Sequence, residues 1–237
     1  MADKEKVVGM FNNIAPTYDF LNHFLSLNID KVWRRKIVKL FKAYAPQRIL
    51  DVASGTGDLA IALTALKPAG IVGVDISEGM LEVGRVKVAK KNLSQTISLL
   101  YGDSENLPFP TGSFDAVAVS FGVRNFANLD NGLSEMQRVL KVNGIVAVLE
   151  FSMPRRFPVK QFYKFYFLRI LPFFGKLFSG NSEAYAYLPD SVLKFPDGER
   201  FLNRLSDAGF SQVKEKRLSF GIATIYTGIK EEKKRRQ

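Results

Sequence analysis

Short apolar segments alternate with segments of helical composition through the middle of the chain, and this alternation limits the fold more than any other feature. The apolar segments cover residues 48–53, 71–75, 97–101, 115–120 and 144–151. Segments typical of helices lie between most of them, at residues 59–66, 77–91 and 129–140. Strands that are apolar along almost their whole length are typical of a parallel sheet covered by helices on both faces. We therefore expect an open α/β sheet.

The two ends of the chain follow other patterns. Near the C-terminus, the sequence predicts a helix over residues 197–208 that ends at Gly209, because glycine is favoured just past the end of a helix. Two strands are predicted at residues 213–220 and 222–229, too close in sequence for a helical crossover, so they should pair antiparallel. The N-terminal part predicts helices alone, at residues 7–14, 19–27 and 31–44, with breaks at Pro16 and near Asn28.

The charge and composition exclude several kinds of site. The chain has 34 Lys and Arg against 23 Asp and Glu, a formal net charge of +11, which favours an anionic partner such as nucleic acid or acidic lipid. It has no cysteine and one histidine, His23, so disulfides, cysteine nucleophiles and multi-histidine metal sites are excluded, and no metal is expected. We find no signal peptide and no apolar stretch of about 18 residues, and we therefore expect a cytoplasmic protein without a membrane-spanning helix.

A glycine turn, LDVASGTGD at residues 50–58, follows the first predicted strand. Gly55 and Gly57 allow the backbone to turn tightly and to approach a ligand, and the next helix presents free N–H groups. Asp75 ends the second strand, 18 residues after Gly57, where a carboxylate can accept hydrogen bonds from ribose hydroxyls. The same glycines followed by Ala60 also match the dinucleotide pattern, so the glycines alone do not separate two classes of nucleotide site.

Two acids and the C-terminal hairpin separate these classes. Asp51 would face a pyrophosphate unfavourably, whereas a cationic ligand such as S-adenosylmethionine would tolerate it. Asp103, after the third strand, could hold an adenine amino group. The hairpin suits the seven-stranded class I methyltransferase fold, a Rossmann-like sheet whose last strand is antiparallel. We therefore expect this α/β fold with N-terminal helices and a helical insertion before the hairpin, and we keep a nicotinamide enzyme and a structural glycine turn as alternatives.

Three further segments carry a resemblance to a family. They are YDFLNHFLS (residues 18–26) followed by Trp33, FGVRN (residues 121–125), and RVLKVNG (residues 138–144) leading to EFS (residues 150–152). From about residue 7 to residue 230 the chain resembles the ubiquinone/menaquinone biosynthesis C-methyltransferase family, of the UbiE/MenG type. Leu21, Asp30 and Asn143 depart from the residues usual in that family, which are methionine, histidine and glycine.

The resemblance implies S-adenosylmethionine as cofactor and assigns it a set of contacts. These contacts are Thr56, Asp75, Asp103, Ser104 and Ser120. The glycine turn adds Gly55, Gly57 and Asp51 to these expected contacts, the last as a partner of the methionine amino group. Two alternatives stay open, because Asp51 could instead cap the turn and Ser120 could merely satisfy a backbone group.

The catalytic candidates are Arg124, Asn125, Tyr18 and His23. A quinol hydroxyl resembles a phenol, with a pKa of about 10, and its anion makes the adjacent ring carbon nucleophilic. The guanidinium of Arg124 could stabilise that phenolate, with Asn125 orienting it or a water, or Arg124 could form a simple salt bridge. The helix that carries Tyr18 could close over the pocket as a lid. His23 has an unperturbed pKa suited to a base near neutral pH, or it is structural.

These observations predict an S-adenosylmethionine-dependent C-methyltransferase of a prenylated quinol. Demethylmenaquinol is the first choice of substrate, the benzoquinol of the ubiquinone pathway is the second, and one enzyme could act on both. One alternative is a class I methyltransferase for another small apolar or aromatic substrate. Another is a basic nucleic-acid-binding module with an inactive methyltransferase fold, but no RNA-binding motif is found and no nucleic acid partner is expected.

We expect a single methyltransferase domain over residues 1–230, followed by a charged tail at residues 231–237. Its parts are a helical cap (1–45), a cofactor-binding core (46–151), a helical substrate or membrane insertion (152–195), and a C-terminal helix and hairpin (196–230). Residues 151–188 hold twelve Phe and Tyr, six Lys and Arg and one acid, Glu183. These rings pack onto the sheet, or they form an apolar tunnel for a prenyl tail while the cations meet the inner face of the cytoplasmic membrane. A homodimer is left open.

Overall fold

The computed structural model describes residues 4–166, 169 and 182–232. Its centre is a seven-stranded sheet of β1 (Arg48–Val52), β2 (Gly70–Asp75), β3 (Ile97–Tyr101), β4 (Phe114–Ser120), β5 (Leu140–Phe151), β6 (Ser211–Leu218) and β7 (Ala223–Ile229). The spatial order is β3-β2-β1-β4-β5-β7-β6. β7 is antiparallel to both of its neighbours, and the other neighbouring strands are parallel. The predicted mixed sheet with an antiparallel last strand is confirmed.

Helices cover both faces of this sheet. The described helices are α1 (Lys4–Leu25), α2 (Ile29–Phe41), α3 (Asp58–Leu63), α4 (Glu78–Lys90), α5 (Leu129–Val139), α6 (Val159–Phe165), α7 (Ser182–Lys194) and α8 (Glu199–Asp207). The Ser77 side chain accepts a hydrogen bond from the Met80 N–H and caps α4.

The apolar strands are buried on both faces, which explains why their sequences do not alternate with polar residues. Ile49 of β1 belongs to the cluster that packs against Ile37 and Phe41 of α2. Its neighbour Leu50 belongs to the opposite cluster, together with Leu133 of α5. Successive side chains of a strand point to opposite faces, so each face of the sheet acquires its own core.

The predicted helix break at Pro16 is wrong, because α1 continues through Pro16 to Leu25. A proline inside a helix removes one backbone hydrogen bond and crowds the preceding turn. Contacts on both sides of Pro16 offset that loss: Ile14 packs in a cluster with Tyr163 and Val192, and Asp19 forms an ion pair with Lys87. The predicted break near Asn28 is confirmed, since Asn28 adopts the left-handed conformation between α1 and α2.

The predicted helical insertion is confirmed in its described parts, α6 and α7. The rest of the predicted insertion, at residues 167–168 and 170–181, and the tail at residues 233–237 lie outside the described residues. In the part of the chain that the structure describes, no helix has the length and apolar character needed to cross a membrane.

Candidate functional site

A cavity lies at the carboxyl ends of β1, β2 and β4, beneath α1. This edge is where open α/β sheets bind ligands, because the loops that follow parallel strands meet there. The predicted cofactor residues that line the cavity are Asp51, Gly55, Thr56, Asp75, Asp103, Ser104 and Ser120. Gly57 is not among the described lining residues, and it precedes α3. α1 contributes Val7, Phe11 and Tyr18 to the lining of the cavity, and its closure as a lid stays a prediction.

The glycine turn needs its glycines for conformation and space. Gly55 and Gly57 have φ values of +54° and +78°, in the left-handed region that side chains disfavour. A Cβ atom at Gly55 would also lie 3.3 Å from the Met80 methyl group. The turn is closed by a hydrogen bond of 2.9 Å from the Gly57 N–H to the Ser54 carbonyl. A side chain at position 55 would therefore strain the wall of the cavity.

Asp75 anchors this turn from the end of β2. Its two carboxylate oxygens accept hydrogen bonds from the Gly55 N–H and the Ser77 N–H, both at 2.8 Å. Burial raises the pKa of Asp75 above its usual value, although the backbone N–H groups oppose that rise. A carboxylate offers about four acceptor positions, so each oxygen keeps room for one more donor. Asp75 can accept from a diol while it still holds the turn.

Asp51, which lines the cavity, has one buried oxygen without a hydrogen-bond partner among the described residues. Its Oδ2 atom accepts a hydrogen bond of 3.0 Å from the Ala60 N–H in the first turn of α3, so Asp51 does cap that helix. Its Oδ1 atom has no hydrogen-bond partner among the described residues, and the same is true of the buried Ser54 and Ser120 hydroxyls. Burial raises the pKa of Asp51 to about 8. Buried polar atoms without partners are rare, and a polar ligand in the cavity would satisfy these three.

Lys4 occupies the place next to Asp103. The Lys4 ammonium lies 2.5 Å from Asp103 Oδ2 and 3.7 Å from Glu105 Oε1, and Lys4 lines the cavity. The Glu105 N–H donates to Asp103 Oδ1 at 2.9 Å. Lys4 was not predicted from the sequence, because it precedes the segment, from about residue 7, that resembles the family. An amino group from a ligand would have to share or replace this ammonium on Asp103.

Thr56 ties the glycine turn to α1. Its hydroxyl donates to Asp19 Oδ1 at 2.5 Å, and the Lys87 ammonium contacts Asp19 Oδ2 at 2.5 Å and Asp58 Oδ1 at 2.6 Å. Lys87 also donates to the Thr56 hydroxyl, at 3.0 Å. These bonds hold α1 over the cavity. Asp19 belongs to the segment at residues 18–26 that carries part of the family resemblance.

His23 lies in a charge network rather than on the cavity wall. Its Nδ1 atom is 2.8 Å from Asp30 Oδ2 and its Nε2 atom is 3.4 Å from Asp58 Oδ2, and Arg34 pairs with Asp30. The lining residues that the structure describes do not include His23. Asp30 is fully buried; burial opposes its ionisation, but the Ser26 hydroxyl and Arg34 hold its pKa below the usual value. Asp30, a departure from the family pattern, thus serves here as the buried partner of Arg34 and His23.

Arg124 forms a salt bridge, which is one of the two roles that the sequence suggests for it. Its Nη1 atom donates to Glu150 Oε1 at 2.8 Å, and the two side chains are 6% and 0% exposed. Its Nε atom, however, has no acceptor within the described part of the chain. The salt bridge therefore leaves one buried N–H of Arg124 unused.

Asn125 and Tyr18 line the cavity, whereas Arg124 is absent from its described lining and lines an adjoining pocket together with Tyr187. Burial raises the pKa of Tyr18, although the positive charges of Arg124 and Arg34 oppose that rise. Tyr187 of α7 donates its hydroxyl hydrogen to Asn125 Oδ1 at 3.1 Å. Tyr187 was not predicted from the sequence, because it is one of twelve Phe and Tyr in residues 151–188 and nothing in its spacing distinguishes it.

Comparison with known proteins identifies the family. The model of the ubiE/COQ5 methyltransferase family matches residues 1–230. A demethylmenaquinone methyltransferase of Bacteroides fragilis is 52% identical over 227 residues, which cover 95% of this chain and 93% of that protein. A ubiquinone/menaquinone biosynthesis C-methyltransferase of Geobacter sulfurreducens is 48% identical over 228 residues, covering 95% of this chain and 89% of that protein.

Solved structures share the fold. The [4+2]-cyclase SpnF superimposes with a TM-score of 0.69 at 16% identity, covering 97% of each chain. An S-adenosylmethionine-dependent methyltransferase of Thermotoga maritima gives a TM-score of 0.63 at 20% identity, covering 94% of this chain and 100% of that one. These structures confirm the predicted class I fold, and the family match confirms a methyltransferase, with S-adenosylmethionine as its cofactor. The chain belongs to the ubiE/COQ5 methyltransferase family.

Proposed function

We propose that the chain methylates a ring carbon of a prenylated quinol and that its substrate is demethylmenaquinol, which becomes menaquinol. The observation that carries the proposal is the 52% identity, over 95% of this chain, to a protein named demethylmenaquinone methyltransferase. A 48% identical relative is named for ubiquinone as well as menaquinone biosynthesis, so the benzoquinol is the second substrate to test.

The cavity residues fit the cofactor. In this proposal Asp75 accepts from the ribose hydroxyls, Asp103 and Ser104 receive the adenine, and Asp51 receives the methionine amino group. The fit rests on the unpartnered Asp51 Oδ1 and Ser120 hydroxyl among the described residues, and on the close approach that Gly55 allows. Thr56 and Gly57 belong to the turn that shapes this wall. The cofactor, when bound, supplies an electrophilic methyl group on a positively charged sulfur.

The residues beside the cavity contribute the charge stabilisation. A quinol hydroxyl has a pKa of about 10, so a nearby fixed cation helps its ionisation and directs electron density to the adjacent ring carbon. Arg124 is held rigid by Glu150 and has a spare Nε–H donor. Asn125 and Tyr18 would orient the ring against that donor. His23, engaged by Asp30 and Asp58, would act through the position of α1 rather than as a base.

The direct test is a methylation assay with the purified chain, S-adenosylmethionine and short-tailed quinols, read by mass spectrometry. We expect methylation of demethylmenaquinol. A chain that binds S-adenosylhomocysteine but methylates neither quinol would be a methyltransferase for another small substrate. Cells that lack this chain should accumulate demethylmenaquinone and regain menaquinone when the gene is restored.

The cofactor affinity should depend on pH through Asp51. Its pKa of about 8 means that the carboxyl is protonated in the free protein near neutral pH. A ligand ammonium favours the carboxylate, so binding releases a proton and affinity rises with pH toward 8. Between about pH 5.5 and 7 the ligand amino group stays charged, and affinity for S-adenosylhomocysteine should rise by up to about tenfold per pH unit. Calorimetry of Asp51→Asn, which cannot ionise at this position, should give a shallower profile, with the rest of the slope left to groups such as Asp75, whose pKa burial also raises. A wild-type profile no steeper than that of Asp51→Asn would contradict the assignment.

We further propose that residues 152–195 meet the surface of a membrane that contains the prenylated substrate. α6 follows the carboxyl end of β5, at the same edge of the sheet as the cavity. Phe157, Phe162 and Phe165 are 80%, 73% and 62% exposed. Four exposed cations lie among these rings, namely Arg155, Arg156, Lys160 and Lys164. Rings with interspersed cations suit an interface of acyl chains and anionic headgroups.

The membrane proposal predicts reversible binding to anionic vesicles that weakens with salt, because surface charges are screened. Each well-placed cation contributes about 1 kcal/mol at an anionic surface, so changing Arg155, Arg156, Lys160 and Lys164 to Gln should reduce binding at least about tenfold. The measurement is vesicle co-sedimentation at low and high salt.

A matched control removes the same charge at the opposite edge of the sheet. Four exposed lysines lie near the amino ends of β1, β2 and β3, namely Lys42, Lys67, Lys90 and Lys91. Their change to Gln should leave most of the vesicle binding. Equal losses in both variants would show a non-specific charge effect. Neither variant touches the cavity, so both should still methylate a soluble quinol.

A further inference from the structure

The turn between β6 and β7 displays an aromatic side chain at a position that disfavours it. Phe220 has a φ of +59°, in the left-handed region that bulky residues avoid. Its side chain is 84% exposed, the highest value among the large hydrophobic side chains of the described residues. A glycine at this position would relieve the backbone and expose no ring. Backbone strain without compensation from packing is typical of positions that have a function.

The turn that carries Phe220 is firmly held. The Trp33 indole N–H donates to the Ser219 hydroxyl at 2.9 Å, which ties the turn to α2. The Ser152 hydroxyl donates to the Gly221 carbonyl at 2.8 Å, and the Ser152 N–H donates to the Ile222 carbonyl at 3.0 Å. These bonds fix both sides of Phe220, so the ring projects from a rigid support.

The turn adjoins the α6 surface, by which we mean the exposed rings of Phe157, Phe162 and Phe165 and the cations among them. A Cβ atom at Gly221 would lie 3.5 Å from Pro154, the residue before Arg155 and Arg156. Ile222 packs against the cluster that contains Tyr163 of α6. The sequence has no Asp or Glu between residues 152 and 166. Phe220 therefore stands beside exposed rings and cations with no acid in the adjoining segment.

The turn also lies at the edge of the sheet that holds the cavity. β7 is antiparallel, and Ala223 at its start pairs with Phe151 at the carboxyl end of β5. The β6–β7 turn and α6 thus start from neighbouring strands at the same edge. A surface that contacts both would face the mouth of the site rather than the opposite edge.

We propose that Phe220 inserts into a bilayer with anionic headgroups, as a second contact beside the α6 surface. The inference deepens, and rests on, the membrane association proposed above. A single contact leaves a protein free to tilt, whereas two rigid contacts define which edge faces the bilayer. The cavity edge then meets the phase in which a prenylated quinol dissolves. The interspersed cations, with no acid between residues 152 and 166, favour a lipid partner, because anionic headgroups attract both Lys and Arg.

The test uses the full chain with vesicles of phosphatidylcholine and phosphatidylglycerol in equal parts. Phe220→Gly suits the left-handed backbone, so its melting temperature should equal or exceed that of the wild type. Its vesicle affinity should fall about tenfold or more, because the ring no longer enters the interface. Val86→Ser is the matched control: Val86 is 55% exposed on α4, and its loss should leave vesicle binding unchanged.

A second variant reports insertion directly. The added fluorescence of Phe220→Trp should shift to shorter wavelength with anionic vesicles and be quenched by lipids with brominated acyl chains. Phe220→Gly should still methylate a soluble short-tailed quinol at the wild-type rate.

The outcomes distinguish a failure of the Phe220 contact from a failure of the membrane association on which it rests. If the wild type ignores anionic vesicles, the membrane association fails, and this inference fails with it. If the wild type binds and Phe220→Gly binds equally well, only the role of Phe220 is overturned. A Phe220→Gly variant that keeps vesicle binding but changes its sedimentation velocity would instead place a second copy of the chain on this turn.

Discussion

Removing the Arg124 guanidinium is expected to lower the methyl-transfer rate by about 10²–10³ while the affinity for the cofactor stays unchanged. The loss should fall on the rate because the phenolate charge develops only as the reaction proceeds. The salt bridge between Arg124 and Glu150 decides which variant can be used. Arg124→Ala alone would leave the fully buried Glu150 carboxylate unpaired, at a cost of about 3–5 kcal/mol in stability. The double variant Arg124→Ala with Glu150→Gln removes both charges together.

Single-turnover kinetics with a soluble quinol measure the effect, and calorimetry with S-adenosylhomocysteine measures the affinity. Glu150→Gln alone is the control, because it keeps the guanidinium and should retain most of the rate. A folded double variant with the wild-type single-turnover rate would leave Arg124 with the salt bridge as its whole role. Arg124→Lys, which keeps a charge but loses the planar donors, should fall between these limits.

The sheet could be predicted because its signals are local. Near-continuous apolar runs identify buried parallel strands, and the short interval around Gly221 excludes a crossover between the last two. Strand ends were less well predicted. β5 begins at Leu140 rather than at residue 144, because a register shift lets Leu140 pair with Phe114 before Ile145 pairs with Ala116. Asn143 has a φ of +63°, a left-handed conformation that asparagine tolerates and that glycine, the residue usual in the family at this position, adopts more readily.

The partners of the site residues could not be predicted, because they depend on packing between distant segments. Lys4 reaches Asp103 across 99 positions, and Tyr187 reaches Asn125 across 62. The sequence indicates that Asp103 follows a strand, but not that a lysine from α1 will lie on it. The continuity of α1 through Pro16 has the same origin, since tertiary contacts outweigh a local helix breaker.

Asp75→Ala should weaken the binding of S-adenosylhomocysteine about ten- to hundredfold, because the ribose hydroxyls would lose a charged acceptor worth roughly 1.5–3 kcal/mol. The same change frees the Gly55 and Ser77 N–H groups that Asp75 now binds, so a loss of affinity could also come from a loosened turn. Ligand fragments separate the two causes. Titration calorimetry should show a large loss for S-adenosylhomocysteine and little loss for adenine, which has no ribose.

Asp75→Asn is the companion variant, since it keeps the size of the side chain and one acceptor oxygen while it removes the charge. Its affinity should lie between those of Asp75→Ala and the wild type. Equal losses for adenine and S-adenosylhomocysteine in Asp75→Ala would show that Asp75 acts on the ligand only through the glycine turn. Undiminished affinity for S-adenosylhomocysteine in a folded Asp75→Ala protein would exclude both roles of Asp75, the binding of the ribose and the support of the glycine turn. Both roles need the carboxylate oxygens that this change removes.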